Sequence, residues 1–181
     1  MIDLVPFTEQ DIDRLVSWIE TPEELFLWTA NGFSFPLTRE AFQKLLREHT
    51  ERGDRLFFKA VETESGEVVG HLEFGALDRH NRSLRIGRVL VAPASRGRGV
   101  ATGMMRAALA LAFGDFGAHR VELGVFDTNT RARTCYERVG FQVEGTRREA
   151  HLAPGGTPGR FWSEHTMSIL DREWQALRAG S

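Results

Sequence analysis

Val89-Leu90-Val91-Ala92-Pro93-Ala94-Ser95-Arg96-Gly97-Arg98-Gly99-Val100-Ala101-Thr102-Gly103 is the stretch from which the rest of the chain can be read. It opens on an apolar run of strand composition, which Pro93 ends. A turn rich in Gly and Arg follows. Beyond it Val100, Met104, Met105, Ala108, Leu109 and Ala112 recur at helical spacing. Strand, glycine loop and helix start, in that order, gather unpaired backbone N–H groups at the positive end of a helix dipole, which suits a phosphate. Gly97 and Gly99 carry no Cβ, so a pyrophosphate can approach the backbone closely. Arg96 and Arg98 add positive charge. Alone, the same loop also describes a tight turn into a core helix. A P-loop is excluded, because Val100-Ala101 follows Gly99 where Lys-Ser/Thr is needed. The dinucleotide glycine pattern is excluded too, because its sixth position is Thr102.

The chain has 181 residues, 41% of them hydrophobic and 27% charged, which predicts one soluble globular domain spanning 1–181. No apolar run is long enough for a membrane span. The start Met1-Ile2-Asp3-Leu4 has no basic region followed by an apolar segment, so a secretory signal is not expected. A single cysteine, Cys135, precludes an internal disulfide and fits a cytoplasmic location. The six histidines are scattered, and no metal site is expected. Net charge is −2, unevenly spread: residues 1–67 hold 14 acids and 7 bases, whereas the remainder holds 11 acids and 16 bases. The acidic part could steer a cationic amine, or could simply be solvated helix surface. Nucleic acid is not an expected partner. Only Lys44 and Lys59 are lysines, so the arginine excess reads as a compositional habit.

Around the glycine loop the elements make up one mixed α/β domain, three early helices and a run of strands before a βαβαββ order. Ile2–Pro6 reads as a strand. Thr8 caps a helix expected to run to about Glu20 and to bury Ile12, Leu15, Val16 and Ile19. Thr21-Pro22 opens a short helix carrying Leu25, Phe26 and Trp28, and Asn31-Gly32 breaks it. Phe33 to Pro36 is an aromatic loop, and Thr38 starts a third helix through about Arg52. Strands are expected at 56–61 and 68–74, joined by a turn at Glu64-Ser65-Gly66-Glu67, and at 84–91. A long helix then reaches about Phe113. A strand at 120–126, a helix ending at Gly140, a strand pair at 141–147 and 161–170, and a short helix from Asp171 complete the chain. Pro154 to Gly159 reads as a flexible loop.

Arg96-x-x-Gly99-x-Ala101, followed by Asn129-x-x-Ala132-x-x-x-Tyr136-x-x-x-Gly140-Phe141, resembles the acetyl-CoA motifs of the GNAT N-acetyltransferase superfamily. The tail Phe141 to Arg147 and then Asp171-Arg172-Glu173-Trp174 resembles the branch that acetylates ribosomal-protein N-termini. The likeness is strong over about 68–174 and weak before it. It implies a GNAT-like fold, with a central, splayed, mostly antiparallel mixed sheet flanked by helices. It also implies acetyl transfer from acetyl-CoA to the primary amine of a small molecule or protein N-terminus, by direct attack in a ternary complex. A possible homodimer is a further expectation.

The resemblance assigns roles. The N–H groups of Arg96, Gly97, Arg98, Gly99, Val100, Ala101 and Thr102 would hold the pyrophosphate. The pantetheine arm would lie along the strand ending at Val91, with an N–H near Leu90 facing the thioester oxygen. Asn129 would hold the cofactor arm or cap the following helix. Tyr136, the only tyrosine, would protonate the departing thiolate. Cys135 lacks a partner that would make it a nucleophile and reads as a small buried residue. The family often carries a glutamate six residues before the position of Val91, where this chain has Arg85. Glu73 is the favoured substitute base, with Glu122, His71 and a water chain as alternatives; Glu73 and Glu122 also read as residues on solvent faces of their strands. Trp28, Phe33, Phe35 and the 151–160 loop would border the acceptor, although the three aromatics also read as core. The replaced glutamate leaves open a second reading, a non-catalytic acyl-CoA-binding or regulatory module on the same fold.

Overall fold

The computed structural model describes residues 1–154 and 160–180. Seven strands form one sheet in the order β1-β2-β3-β4-β5-β7-β6: β1 Ile2–Pro6, β2 Leu56–Glu62, β3 Val68–Asp78, β4 Ser83–Val91, β5 Arg120–Phe126, β6 Gln142–Leu152 and β7 Phe161–Leu170. Every neighbouring pair is antiparallel except β4 and β5, which are parallel. The helices are α1 Ile12–Ser17, α2 Pro22–Thr29, α3 Arg39–Arg52, α4 Val100–Phe113, α5 Thr130–Arg138 and α6 Asp171–Ala179. The expected architecture is present, with the three early helices in place. Among the described residues no helix is long and apolar enough to cross a membrane.

Period-two alternation in the strands divides the interior into two layers. On one face Phe58, Leu72, Phe74, Leu84, Ile86, Val121, Leu123 and Met167 pack against Met104, Met105 and Leu109 of α4. On the other, Phe57 and Leu90 meet Ile12, Leu15, Leu25, Trp28 and Phe42 of α1 to α3. A third, smaller group, Phe26, Phe126, Ala153 and Trp162, ties α2 to the ends of β5 and β7.

Several expected boundaries move. The first helix is shorter than its apolar spacing suggests: Glu9–Asp11 is a 3-10 turn and α1 stops at Ser17. Thr8 and Asp11 do form a reciprocal capping box. However, the Asp11 carboxylate also receives Lys59 Nζ at 2.9 Å, which anchors this turn to β2. Ile19 stays buried outside the helix. β3 and β6 run several residues past their expected ends, to Asp78 and Leu152, because those ends still pair with neighbouring strands. Gly140, at φ +104°, follows α5 in the left-handed region, as its position after the apolar pattern suggests.

Gly70 marks the closest approach between sheet and helix. A Cβ there would run into the Met104 thioether and lie 2.8 Å from the Leu90 carbonyl oxygen, which is backbone and cannot swing away. Gly70→Ala should destabilise the fold by about 1–3 kcal/mol through overpacking. A guanidinium unfolding midpoint unchanged from wild type would contradict this tight packing.

Candidate active site

Two features of β4 open a cleft at the middle of the sheet. The first lies on its β3 side. His71 faces Leu90 and Glu73 faces Gly87, so Arg88 and Val89 together oppose Leu72 alone. This is a β-bulge, and Arg88 carries it at φ +46°, a region that side chains other than glycine seldom occupy. The second lies on the β5 side. β4 pairs with β5 only over Ser83–Arg85, and the edge beyond Arg85 is free of β5. The strands diverge, and a cleft of about 330 Å³ opens between them. Gly87, Arg88 and Val89 line one wall, Leu123 to Phe126 the other, with Asn129, Ala132 and Tyr136 of the following turn and helix along one side and Trp28 to Ala30 across the mouth.

The glycine loop follows β4 directly. Pro93–Ser95 is a 3-10 turn, and Gly97 and Gly99 both sit at φ +80°. Gly99 is the N-cap of α4, and Gly103 N–H is the residue whose bond to Gly99 O, at 3.1 Å, starts the helical ladder. An added Cβ at Gly97 or Gly99 would meet nothing within 4 Å, so open space faces this turn. The loop arginines are not loose charges. Arg96 reaches Glu24 at 3.0 Å, and Arg98 reaches Glu62 at 3.1 Å. The acidic first third therefore tempers the loop's charge, and attraction of an anion there falls chiefly to backbone N–H groups.

Tyr136 is buried and lines the cleft. Burial, and secondarily the neighbouring Cys135, push its phenol well above the ordinary tyrosine range, so it is a neutral O–H donor at any physiological pH. Asn129 caps α5, its Oδ1 accepting from Ala132 N–H at 3.2 Å, and it lines the cleft as well. Cys135 is only half-buried, with its Sγ 3.5 Å from Thr102 Oγ1.

A family model described as the acetyltransferase (GNAT) family matches residues 15–141. The chain belongs to that family. Its segment of 82 residues is 37% identical to the uncharacterized N-acetyltransferase Rv2669 of Mycobacterium tuberculosis, covering 45% of this chain and 51% of that protein. Over 91 residues it is 34% identical to the L-amino acid N-acetyltransferase AaaT of Escherichia coli, covering 50% and 56% respectively. The chain thus spans about half the length of the curated relatives it matches first. Its fold is shared with a crystal structure of spermidine N-acetyltransferase from Vibrio cholerae in complex with CoA and spermine, at TM-score 0.81 and 20% identity, over 96% of this chain and 98% of that one.

Within this GNAT site, Glu73 is neither on a solvent face nor placed as a base. Its carboxylate has no exposed surface and receives Arg55 Nη1 at 2.6 Å and Arg88 Nη1 at 2.7 Å, with His71 Nε2 at 3.4 Å. Burial alone would raise its pKa. The bond from His71 and the fields of Arg88, His71 and Arg55 outweigh burial and hold it at about 2. A carboxylate so firmly ionised, with no face on the cleft, is a poor proton acceptor; it anchors the bulge instead. His71 is equally enclosed, packed edge-on by Phe7, Trp28 and Phe42. Trp28 is core and wall at once: it stacks on Phe42, lines the cleft, and donates Nε1–H to the Arg88 carbonyl at 2.7 Å. Phe33 packs toward Phe42 beneath the Arg88 guanidinium, and Phe35 is exposed; neither lines the cleft. The Leu90 side chain packs in the helical layer, while Val89 lines the cleft. Residues 155–159 of the expected acceptor loop lie outside the described residues.

Sequence reasoning missed Glu164, and it included His151 only as the first residue of the expected acceptor loop. Both line the cleft, and His151 Nε2 lies 3.2 Å from Glu164 Oε2. Glu164 also meets Arg85 at 3.1 Å and Arg147 at 3.1 Å. A Cβ at Gly124 would collide with Glu164 Oε1 and Arg85 Nη2, so this glycine lets the pair lie flat across β5. The apolar Arg120–Phe126 strand interrupted by Gly124 was the available signal, but its β7 partner was not readable from spacing. The charged side chain that residues 1–67 contribute to the cleft wall is Arg55.

Glu73 makes a sign-definite prediction. Its folded pKa is depressed from the ordinary 4.5 to about 2, so the stability it confers is present above pH 4.5 and lost as pH falls toward 2. Glu73→Gln should flatten that part of the stability–pH curve, measured by urea unfolding from pH 5 to 2.5. An unchanged slope would contradict the ion-pair anchor.

Proposed function

We propose that this chain is an acetyl-CoA-dependent N-acetyltransferase that moves an acetyl group to a primary amine, of a small molecule or a protein N-terminus, by direct attack in a ternary complex. The observation that carries this reading is the buried Tyr136 lining the same cleft as the strand edge that β4 leaves unpaired beyond Arg85. Acetyl-CoA is the co-substrate of the family. The open space before Gly97 and Gly99 and the run of N–H groups at the start of α4 fit its pyrophosphate. The free edge of β4 beyond Arg85 suits the amide-bearing arm, laid alongside like an added strand.

The amine nitrogen attacks the acetyl carbonyl carbon, the new C–N bond forms, and the C–S bond breaks with its electron pair going to sulfur. Tyr136, whose phenol is protonated, supplies the proton that the leaving thiolate takes up, and the phenolate so formed is reprotonated through water by the proton the amine has lost. The proton lost by the amine is received by the His151–Glu164 pair, directly or through water. An N-terminal amine, with a pKa near ~8, is already partly neutral, so the demand on this base is modest. Glu164 lies beside Arg85, the residue standing where the family often has its glutamate, so a carboxylate is still present in that region, supplied by β7. This supports catalysis over a purely binding module. The names of the relatives point to different amines, amino acids for one and spermidine for another, so similarity does not choose the acceptor.

Two variants separate binding from chemistry. Gly99→Glu places a bulky anion at the left-handed N-cap and should abolish calorimetrically measured acetyl-CoA binding. Tyr136→Phe should lower kcat about 100-fold through loss of the acid, with CoA affinity within twofold of wild type. Undiminished binding by the first variant, or equal loss of affinity and turnover in the second, would overturn these assignments.

A further inference from the structure

We infer that the acceptor carries a carboxylate on the same molecule as its amine, and that Arg55 and Arg88 bind that carboxylate; this rests on the transferase reading above. The charged residues lining the cleft are Arg55, Arg85, Arg88 and Glu164, with His151 beside Glu164. Their ion pairs sort into two groups. On the β5–β7 side, Arg85, Arg120 and Arg147 are matched by Glu122, Glu144 and Glu164, three cations to three anions. On the β3 side, Arg55 and Arg88 share Glu73 alone. The excess positive charge of the cleft is therefore localised on the Arg55–Glu73–Arg88 group.

The geometry of that group is fixed before any ligand arrives. Glu73 is fully buried and takes one Nη1 from each guanidinium, at 2.6 and 2.7 Å, which orients both forks from behind. The Arg88 backbone is pinned by the bulge and by the Trp28 bond, and its guanidinium rests over Phe33. Arg55 lies against the Gly75 backbone, and its Nε is buried with no hydrogen-bond partner among the described residues. Guanidinium pairs held in this way suit the planar, two-oxygen face of a carboxylate. The opposite wall holds Glu164 and His151, suited to an amine. One cleft thus offers a cationic corner and an amine-accepting wall, the complement of a zwitterion. A polyamine would instead bring more positive charge to the corner that already has an excess.

The test is a matched-pair acceptor panel: glycine, leucine, phenylalanine and glutamate, each against its α-amide, with spermidine as the polycation. CoA thiol release is followed and kcat/KM is compared per neutral amine. Wild type should prefer the acid of at least one pair tenfold or more and use spermidine poorly. Arg55→Gln should bring that acid-to-amide ratio toward one, and Arg55→Lys, which keeps charge but not the fork, should restore part of it. Glu73 retains Arg88 in both variants. Amides or spermidine used as well as the acids by wild type, or a ratio indifferent to Arg55→Gln, would overturn the inference. Calorimetric binding of the same amines to the protein–CoA complex needs no turnover. Acids bound over amides without any turnover would support this corner and contradict the transferase reading; binding of neither class would overturn the inference.

Discussion

The left-handed backbone at Arg88 is the constraint on which the site depends. Placing a non-glycine residue at φ +46° costs on the order of 1–3 kcal/mol and persists only where its surroundings over-determine it. Here they do. Glu73, buried two residues from His71 on β3, holds the side chain of Arg88, and Trp28 of α2 holds its carbonyl. The bulge lets Arg88 and Val89 oppose a single β3 residue, and β4 keeps contact with β5 for only three residues. A cleft between parallel strands in the middle of a sheet would ordinarily close by hydrogen bonding. In this chain it stays open because β4 is held to β3 and the early helices, while β5 is held to β7 along its whole length.

Charge is then distributed over that opening in an orderly way. Three acids of the first third, Glu24, Glu62 and Asp11, engage Arg96 and Arg98 of the glycine loop and Lys59 of β2. The cleft wall takes Arg55 from that part of the chain. Across β5, the absence of a side chain at Gly124 allows Arg85 and Glu164 to lie flat, and Glu164 thereby gathers Arg147 and His151 into the same wall. The neutral Tyr136 phenol sits apart from these ions, in a setting that strips water from it and keeps its proton.

Local signals were legible from sequence, and long-range pairings were not. The glycine loop, the α4 periodicity and the Asn129 cap are written in adjacent residues, and each stands where its pattern puts it. Tyr136 could be chosen because the resemblance to the GNAT motif implies a tyrosine seven residues after Asn129, and it is the only tyrosine of the chain. Glu73 misled because a carboxylate within an apolar strand reads the same whether it faces solvent, serves as a base or is buried against two arginines; Arg55 and Arg88, 18 and 15 residues away, decide which. Glu164 was invisible for the same reason, and so was its pairing with His151. Their relation to Arg85 is made by strand order β4-β5-β7-β6, which crosses 79 residues of chain. The length of α1 also escaped, because Lys59 on β2 binds the Asp11 carboxylate at its start.

The most direct measurement is amide hydrogen exchange with and without CoA. The open edge of β4 and the exposed N–H groups of the α4 start should both acquire acceptors from the ligand. Slowing concentrated at residues 88–91 and 97–102, with β1, β2 and β6 unchanged, is the expected result. Exchange that is unaltered in those two segments while CoA is bound would contradict a cofactor cleft between β4 and β5.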